Sequence, residues 1–146
     1  MTKWLCRLSL QADRAKGPFS TKFYNERDPN DSDGRMRPVW NVEPNSMIVS
    51  PPSGAQLESS LVEVRGWARS GGGIEAVQIS IDDSQTWGEA DVESRRDFSW
   101  QKFSSMVTLP PGIHRLTARA TSSSGFKQPL SGRRNHVHII AFKILS

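Results

Sequence analysis

Three stretches of this chain alternate apolar and polar residues with a period of two, and that pattern constrains the fold more than any other feature. In the run 61–68, Val62, Val64, Gly66 and Ala68 fall on one side and Glu63, Arg65 and Trp67 on the other. From Ile74 to Asp82 the same rhythm sets Val77, Ile79 and Ile81 against Gln78, Ser80 and Asp82. From His114 to Thr121, His114, Leu116, Ala118 and Ala120 alternate with Arg115, Thr117, Arg119 and Thr121. Side chains on a strand point to opposite faces at successive positions, so each run reads as a strand with one face in a core. No long stretch carries the 3.6-residue apolar period of an amphipathic helix.

Turn signals separate the runs. Pro51-Pro52-Ser53-Gly54 closes a short apolar strand at Met47-Ile48-Val49-Ser50, and Ser70-Gly71-Gly72-Gly73 closes the second. The segment Asp82-Asp83-Ser84-Gln85-Thr86 reads as a hairpin-like turn, Pro110-Pro111-Gly112 turns the chain again, and Thr121-Ser122-Ser123-Ser124-Gly125 is a polar turn. Phe98, Trp100 and Phe103 are read as a further strand, and the last strand as His136 to Ile144. About seven short strands in ~100 residues is the immunoglobulin-like pattern. The expectation is therefore an all-β sandwich, without the Cys-Trp-Cys signature of antibody domains.

The N-terminal part differs in character. Trp4, Leu5, Leu8 and Leu10 form an apolar edge that reads as one strand. The cluster Asp28-Pro29-Asn30-Asp31-Ser32-Asp33-Gly34 favours open turns, so residues 25–40 read as a surface linker.

Composition narrows the function classes. The 146 residues suffice for one domain with its own core, and 36% hydrophobic with 23% charged residues is a globular balance. There is no apolar run of ~18 residues, so no membrane span is expected. The start lacks the apolar core and small-residue cleavage site of a signal peptide, which points to an intracellular protein. The net charge of +4 is spread out, with Arg95-Arg96 and Arg133-Arg134 the densest clusters, so a solvated basic surface is expected rather than nucleic-acid binding. The single cysteine, Cys6, excludes an internal disulfide and has no Cys-His spacing around it, so it reads as an ordinary thiol.

Candidate chemistry is sparse. No Gly-x-Ser-x-Gly elbow occurs. Asp82 and Asp83 are adjacent carboxylates, but in a turn their ordinary work is capping backbone N–H groups. His136 and His138 would share one strand face and offer two metal ligands, with no third in view. His114 has no assigned role. Gly71-Gly72-Gly73 lacks the Gly-Lys-Ser/Thr ending of a phosphate loop. The five tryptophans lie in or beside the strands and are expected mostly to fill the core or seal an interface.

Several segments, in order, resemble one family. These are Lys3-Trp4-Leu5 followed by Arg7, then Phe23-Tyr24 near Arg27-Asp28, then Pro44-Asn45-Ser46-Met47-Ile48 with Pro51-Pro52-Ser53-Gly54-Ala55. The most specific are Val64-Arg65-Gly66-Trp67-Ala68-Arg69-Ser70-Gly71-Gly72-Gly73 and Val77-Gln78-Ile79-Ser80-Ile81-Asp82 closing on Thr86-Trp87, followed by Phe98-Ser99-Trp100 and Arg119-Ala120-Thr121. The set resembles the C-terminal dimerisation domain of the sulfite oxidase and plant-type nitrate reductase family.

That resemblance implies an immunoglobulin-like (E-set) β-sandwich with an N-terminal extension. Residues 1–24 would be the tail end of a molybdenum-cofactor domain, 25–44 a linker, and 45–146 the dimerisation domain. It implies a molybdenum–pterin cofactor in the full-length relatives, with none held by this chain alone, which would be inactive by itself. It implies a homodimer and, as a second partner, the cofactor domain of the parent enzyme. Lys3 matches a lysine beside the pterin phosphate in the family, whereas Cys6 lies where relatives commonly have glycine and is not the metal ligand. Three departures stand out. Asp83-Ser84 replaces the usual Gly-Gly of the hairpin, the segment 132–138 is short, and His136 stands where some relatives place an arginine facing substrate. The competing expectation, from the sandwich pattern and exposed aromatics alone, is a stand-alone immunoglobulin-like module that binds a protein or a glycan.

Overall fold

The computed structural model describes residues 6–27, 32–132 and 134–145. The chain divides into two compact units, residues 1–41 and 42–146.

In the first unit a single π-type turn, Phe19–Phe23, leads into a short antiparallel hairpin of β1 (Asn25–Arg27) and β2 (Met36–Pro38). Phe19 packs its ring near those of Phe23 and Tyr24, and the Arg14 guanidinium lies 4.2 Å from the centroid of the Trp40 ring. None of the described residues of this unit is buried. Leu8 and Leu10 are exposed and form no strand, contrary to the expected N-terminal strand, whose first members Trp4 and Leu5 lie outside the described residues.

The second unit is a β-sandwich, as the alternation requires. Its strands are β3 (Asn45–Ser50), β4 (Gln56–Leu57), β5 (Leu61–Arg69), β6 (Ile74–Ser80), β7 (Gly88–Val92), β8 (Gln101–Thr108), β9 (Gly112–Ser122) and β10 (Ile139–Ile144). Hydrogen bonding runs in the order β3-β5-β8-β7-β6-β9-β10-β4. β7 turns the corner: Ala90, Glu89 and Gly88 pair with β6, whereas Asp91 and Val92 pair with β8. One face of the sandwich is thus β3-β5-β8 and the other β6-β9-β10-β4.

The core lies between them. β5 buries Val62, Val64, Gly66 and Ala68 and turns its odd-numbered residues outward. Phe103, Leu109, Leu116, Val77 and Ile144 are the large side chains sealed at the centre. Two glutamines tie the faces together. Gln101 opens β8 and reaches the first residue of β6, its Oε1 accepting the Ile74 N–H at 2.7 Å and its Nε2 donating to the Ile74 carbonyl at 3.0 Å. Gln128 lies in the loop after β9; its Oε1 accepts the Ala120 N–H at 3.2 Å and lies 2.6 Å from the Ser46 hydroxyl on β3. Both side chains are buried, and buried amides persist only where such partners satisfy them.

Three strand ends differ from expectation. β10 starts at Ile139, not His136, because Val137 N–H donates to the Pro129 carbonyl and holds the approach as a loop. Phe98 and Trp100 precede β8: the Ser99 N–H closes a turn on the Arg96 carbonyl, leaving Phe98 92% exposed. β6 ends at Ser80, so Ile81 lies in the following loop and is exposed rather than in the core.

Candidate functional site

Among the described residues the chemistry-bearing side chains do not converge. His136 and His138 are exposed and flank the buried Val137 ahead of β10. His114 Nε2 meets the Pro110 carbonyl at 2.7 Å, and its ring lies near that of Phe142. Cys6 is an exposed free thiol. Gly71 and Gly73 serve a tight connection: the Ser70 hydroxyl donates to the Gly73 carbonyl, and Arg95 Nη1 donates to the Gly71 carbonyl at 3.1 Å. Gly73, with φ of +101°, takes a backbone conformation that favours glycine. Lys3 lies outside the described residues.

The paired carboxylates are turn formers. Asp82 accepts from the Thr86 hydroxyl and N–H and from the Ser80 hydroxyl, which hold its carboxyl down at about 2. Asp83 instead pairs with Arg115 across 3.2 Å of exposed surface. Among the described residues no three His, Cys, Asp or Glu side chains are grouped to hold a metal. Among the described residues no grouped donor set fits the metal of a molybdenum–pterin group.

What the fold does build is a surface. The outward row of β5 reads Leu61, Glu63, Arg65, Trp67, Arg69. Met47 of β3 pairs with Trp67, and Lys102, Ser104 and Met106 of β8 pair with Trp67, Arg65 and Glu63 respectively. Leu61, Met106, Met47 and Val49 are all exposed on this face. Beside it, Met47, Trp67 and Trp100 line an apolar hollow of about 440 Å³. A second depression, of about 570 Å³, runs along the charged middle of the face between Glu63, Arg65, Asp91, Glu93 and Lys102.

Cations sit over its aromatic rings. Lys102 Nζ lies 5.5 Å from the Trp67 centroid and Arg69 Cζ 5.0 Å from that of Trp100. No described tryptophan is in the core, which corrects that part of the expectation. β5 alternation sends Trp67 outward, Trp100 is in the loop before β8, and Trp87 is half-buried under Arg119. The sequence reading placed Trp67 on the outer face of β5 but missed the two buried glutamines. Their only signal is a Gln at a strand start and another after a polar turn.

The fold thus presents an outer sheet face with a charged middle and an apolar, tryptophan-bearing edge. The chain belongs to the Mo-co oxidoreductase dimerisation domain family, whose model matches residues 36–141. It is 33% identical over 146 aligned residues to sulfite oxidase of Arabidopsis thaliana, covering 87% of this chain and 37% of that protein. With mitochondrial sulfite oxidase of Mus musculus the identity is 29%, covering 74% of this chain and 22% of the relative. The chain thus spans between about a fifth and two fifths of these curated relatives. Among solved structures it is similar to the sulfane dehydrogenase SoxCD from Paracoccus pantotrophus, with a TM-score of 0.64 at 23% identity, over 84% of this chain and 35% of that one. This likeness supports the immunoglobulin-like sandwich. No helix among the described residues is long and apolar enough to cross a membrane.

Proposed function

We propose that this chain is the self-associating segment of a sulfite oxidase-type molybdenum oxidoreductase and turns over nothing by itself. The observation that carries the reading is the family match across 36–141, from β2 into β10. A molybdenum–pterin group, when bound to the full enzyme, would supply the two-electron transfer of one oxygen atom to sulfite or from nitrate. This chain's part is to hold two copies together and to adjoin the domain that carries the group. The family match favours this over a stand-alone glycan- or protein-binding module.

The domain reading follows the same lines. Residues 1–24 belong with the cofactor domain, 25–44 form a linker, and 45–146 the assembly domain. It is supported by the exposure of Leu8, Leu10, Phe19 and Phe23, apolar side chains for which the described residues of the first unit provide no core. Lys3 is assigned to the pterin phosphate, where an ammonium makes a charge-assisted contact.

Sedimentation of the purified chain tests the assembly role: a dimer is expected at tens of micromolar, and a monomer at about 100 μM overturns it. Cofactor plus sulfite should give no turnover with this chain alone, and measurable oxidation refutes the non-catalytic reading. Limited proteolysis should cut within 25–44 first and leave 45–146 intact. In the full enzyme Lys3→Ala should lower cofactor retention, and unchanged retention removes that role.

A further inference from the structure

We infer that the outer face of the β3-β5-β8 sheet binds a second copy of itself about a two-fold axis that lies between the faces, perpendicular to β5 and level with Val64. The inference rests on the self-association reading and names the surface that performs it.

The reason is the order of the outward residues of β5. From Leu61 to Trp67 the row reads apolar, acidic, basic, apolar, before it ends on the basic Arg69. Reversing Leu61–Trp67 turns each of these four into its complement, and it leaves Arg69, the fifth outward residue, beyond Leu61 of the second copy. A two-fold interface is isologous, so whatever residue i meets on the partner, that residue's twin meets i. With the axis level with Val64, Glu63 faces Arg65 of the other copy, Arg65 faces its Glu63, and Leu61 faces its Trp67. An axis running along β5 would instead set Glu63 on Glu63 and Arg65 on Arg65, which like-charge repulsion disfavours.

The neighbouring strand obeys the same operation. Val64 is level with Ser105 of β8. Ser104 then meets Met106 of the second copy, and Lys102 meets its Thr108, so β8 opposes no like charges. Within one chain Arg65 Nε already lies 3.5 Å from Glu63, both side chains more than half exposed. That exposed pair is weakly held and free to exchange partners.

Size sets the affinity class. A nine-residue strand at ~3.4 Å per residue, across three strands ~4.8 Å apart, offers roughly 400 Å² of flat face. This is about half of the ~800 Å² per partner in a standard stable interface. The corrugated Trp67 and Trp100 edge adds to it, so a micromolar dimer is expected rather than an obligate one.

Charge reversal is the test, with dissociation constants read by sedimentation and folding checked by thermal melts. Glu63→Arg and Arg65→Glu should each weaken the dimer by about 10-fold or more, since the symmetry counts every repulsion twice. An equimolar mixture of the two variants should form a heterodimer about as tight as the parent, because each basic pair then faces an acidic pair. Trp67→Ala should also weaken association. If the parent dimerises and all three variants do so equally well, this face is wrong while self-association stands. If the parent stays monomeric at about 100 μM, both readings fall together.

Discussion

Gly66 is the position where one added methyl group should do most damage. It lies on the buried side of β5, directly opposite Phe103 of β8. A Cβ at this position would lie 2.1 Å from Phe103 Cζ, 2.5 Å from its Cε1 and 2.4 Å from the Met47 carbonyl oxygen. Carbon atoms rest at about 3.5–4.0 Å, so the neighbours must retreat by more than 1 Å. Neither has room. The Phe103 ring is 2% exposed at the centre of the core, and the Met47 carbonyl belongs to the backbone of β3, paired to β5. Overpacking costs about 1–3 kcal/mol where side chains can adjust. Displacing Phe103 adds part of the roughly 3–5 kcal/mol that a buried phenylalanine is worth. Gly66→Ala should therefore destabilise by about 3 kcal/mol and lower Tm by roughly 10–20 °C. Melts must be run at one protein concentration, because self-association raises the apparent stability. Combining Gly66→Ala with Phe103→Leu should cost at least about 1 kcal/mol less than the sum of the two single changes, since only the ring clash is relieved. A Gly66→Ala variant that melts within about 2 °C of the parent, or strict additivity in the double variant, would refute the reasoning.

Further expectations concern the polar ties and the β6–β7 turn. Gln101→Leu leaves the Ile74 N–H and carbonyl and the Glu93 carbonyl without their side-chain partner, and should cost about 2–4 kcal/mol by denaturant titration. Ser84→Gly should raise Tm by a few degrees, because Ser84 has φ of 71°, where a side chain is strained by about 1 kcal/mol, and its neighbour Asp83 has φ of 56°. The Asp82 carboxyl is held at about 2 by Thr86 and Ser80, below its unfolded value near 4. Its contribution is present above pH ~4 and is lost as pH falls through about 2, so Asp82→Asn should flatten the acid limb of Tm against pH; an unchanged slope counts against it.

The parts of this molecule that were legible in its sequence are those governed by nearest neighbours. Alternation in the run 61–68 assigned both faces of β5 correctly, because a strand's two sides are set by residue parity alone. The ends of strands were harder. β10 begins late because of a bond from Val137 to Pro129, and β8 begins after a turn that Ser99 closes on Arg96. Neither partner is chosen by local propensity. The same holds for Gln101 and Gln128, whose polarity suggests surface until the opposing backbone groups are in place. The tryptophans show the limit most clearly. Size and hydrophobicity favour burial, yet Trp67 sits at an outward position and parity prevails over hydrophobicity. A fold that buries glutamines and leaves tryptophan at its surface has satisfied its interior by other means. The apolar surface left outside is then available for association. The charges between its two apolar ends, Glu63 and Arg65, are spaced so that a reversed copy of the same strand meets them with opposite sign.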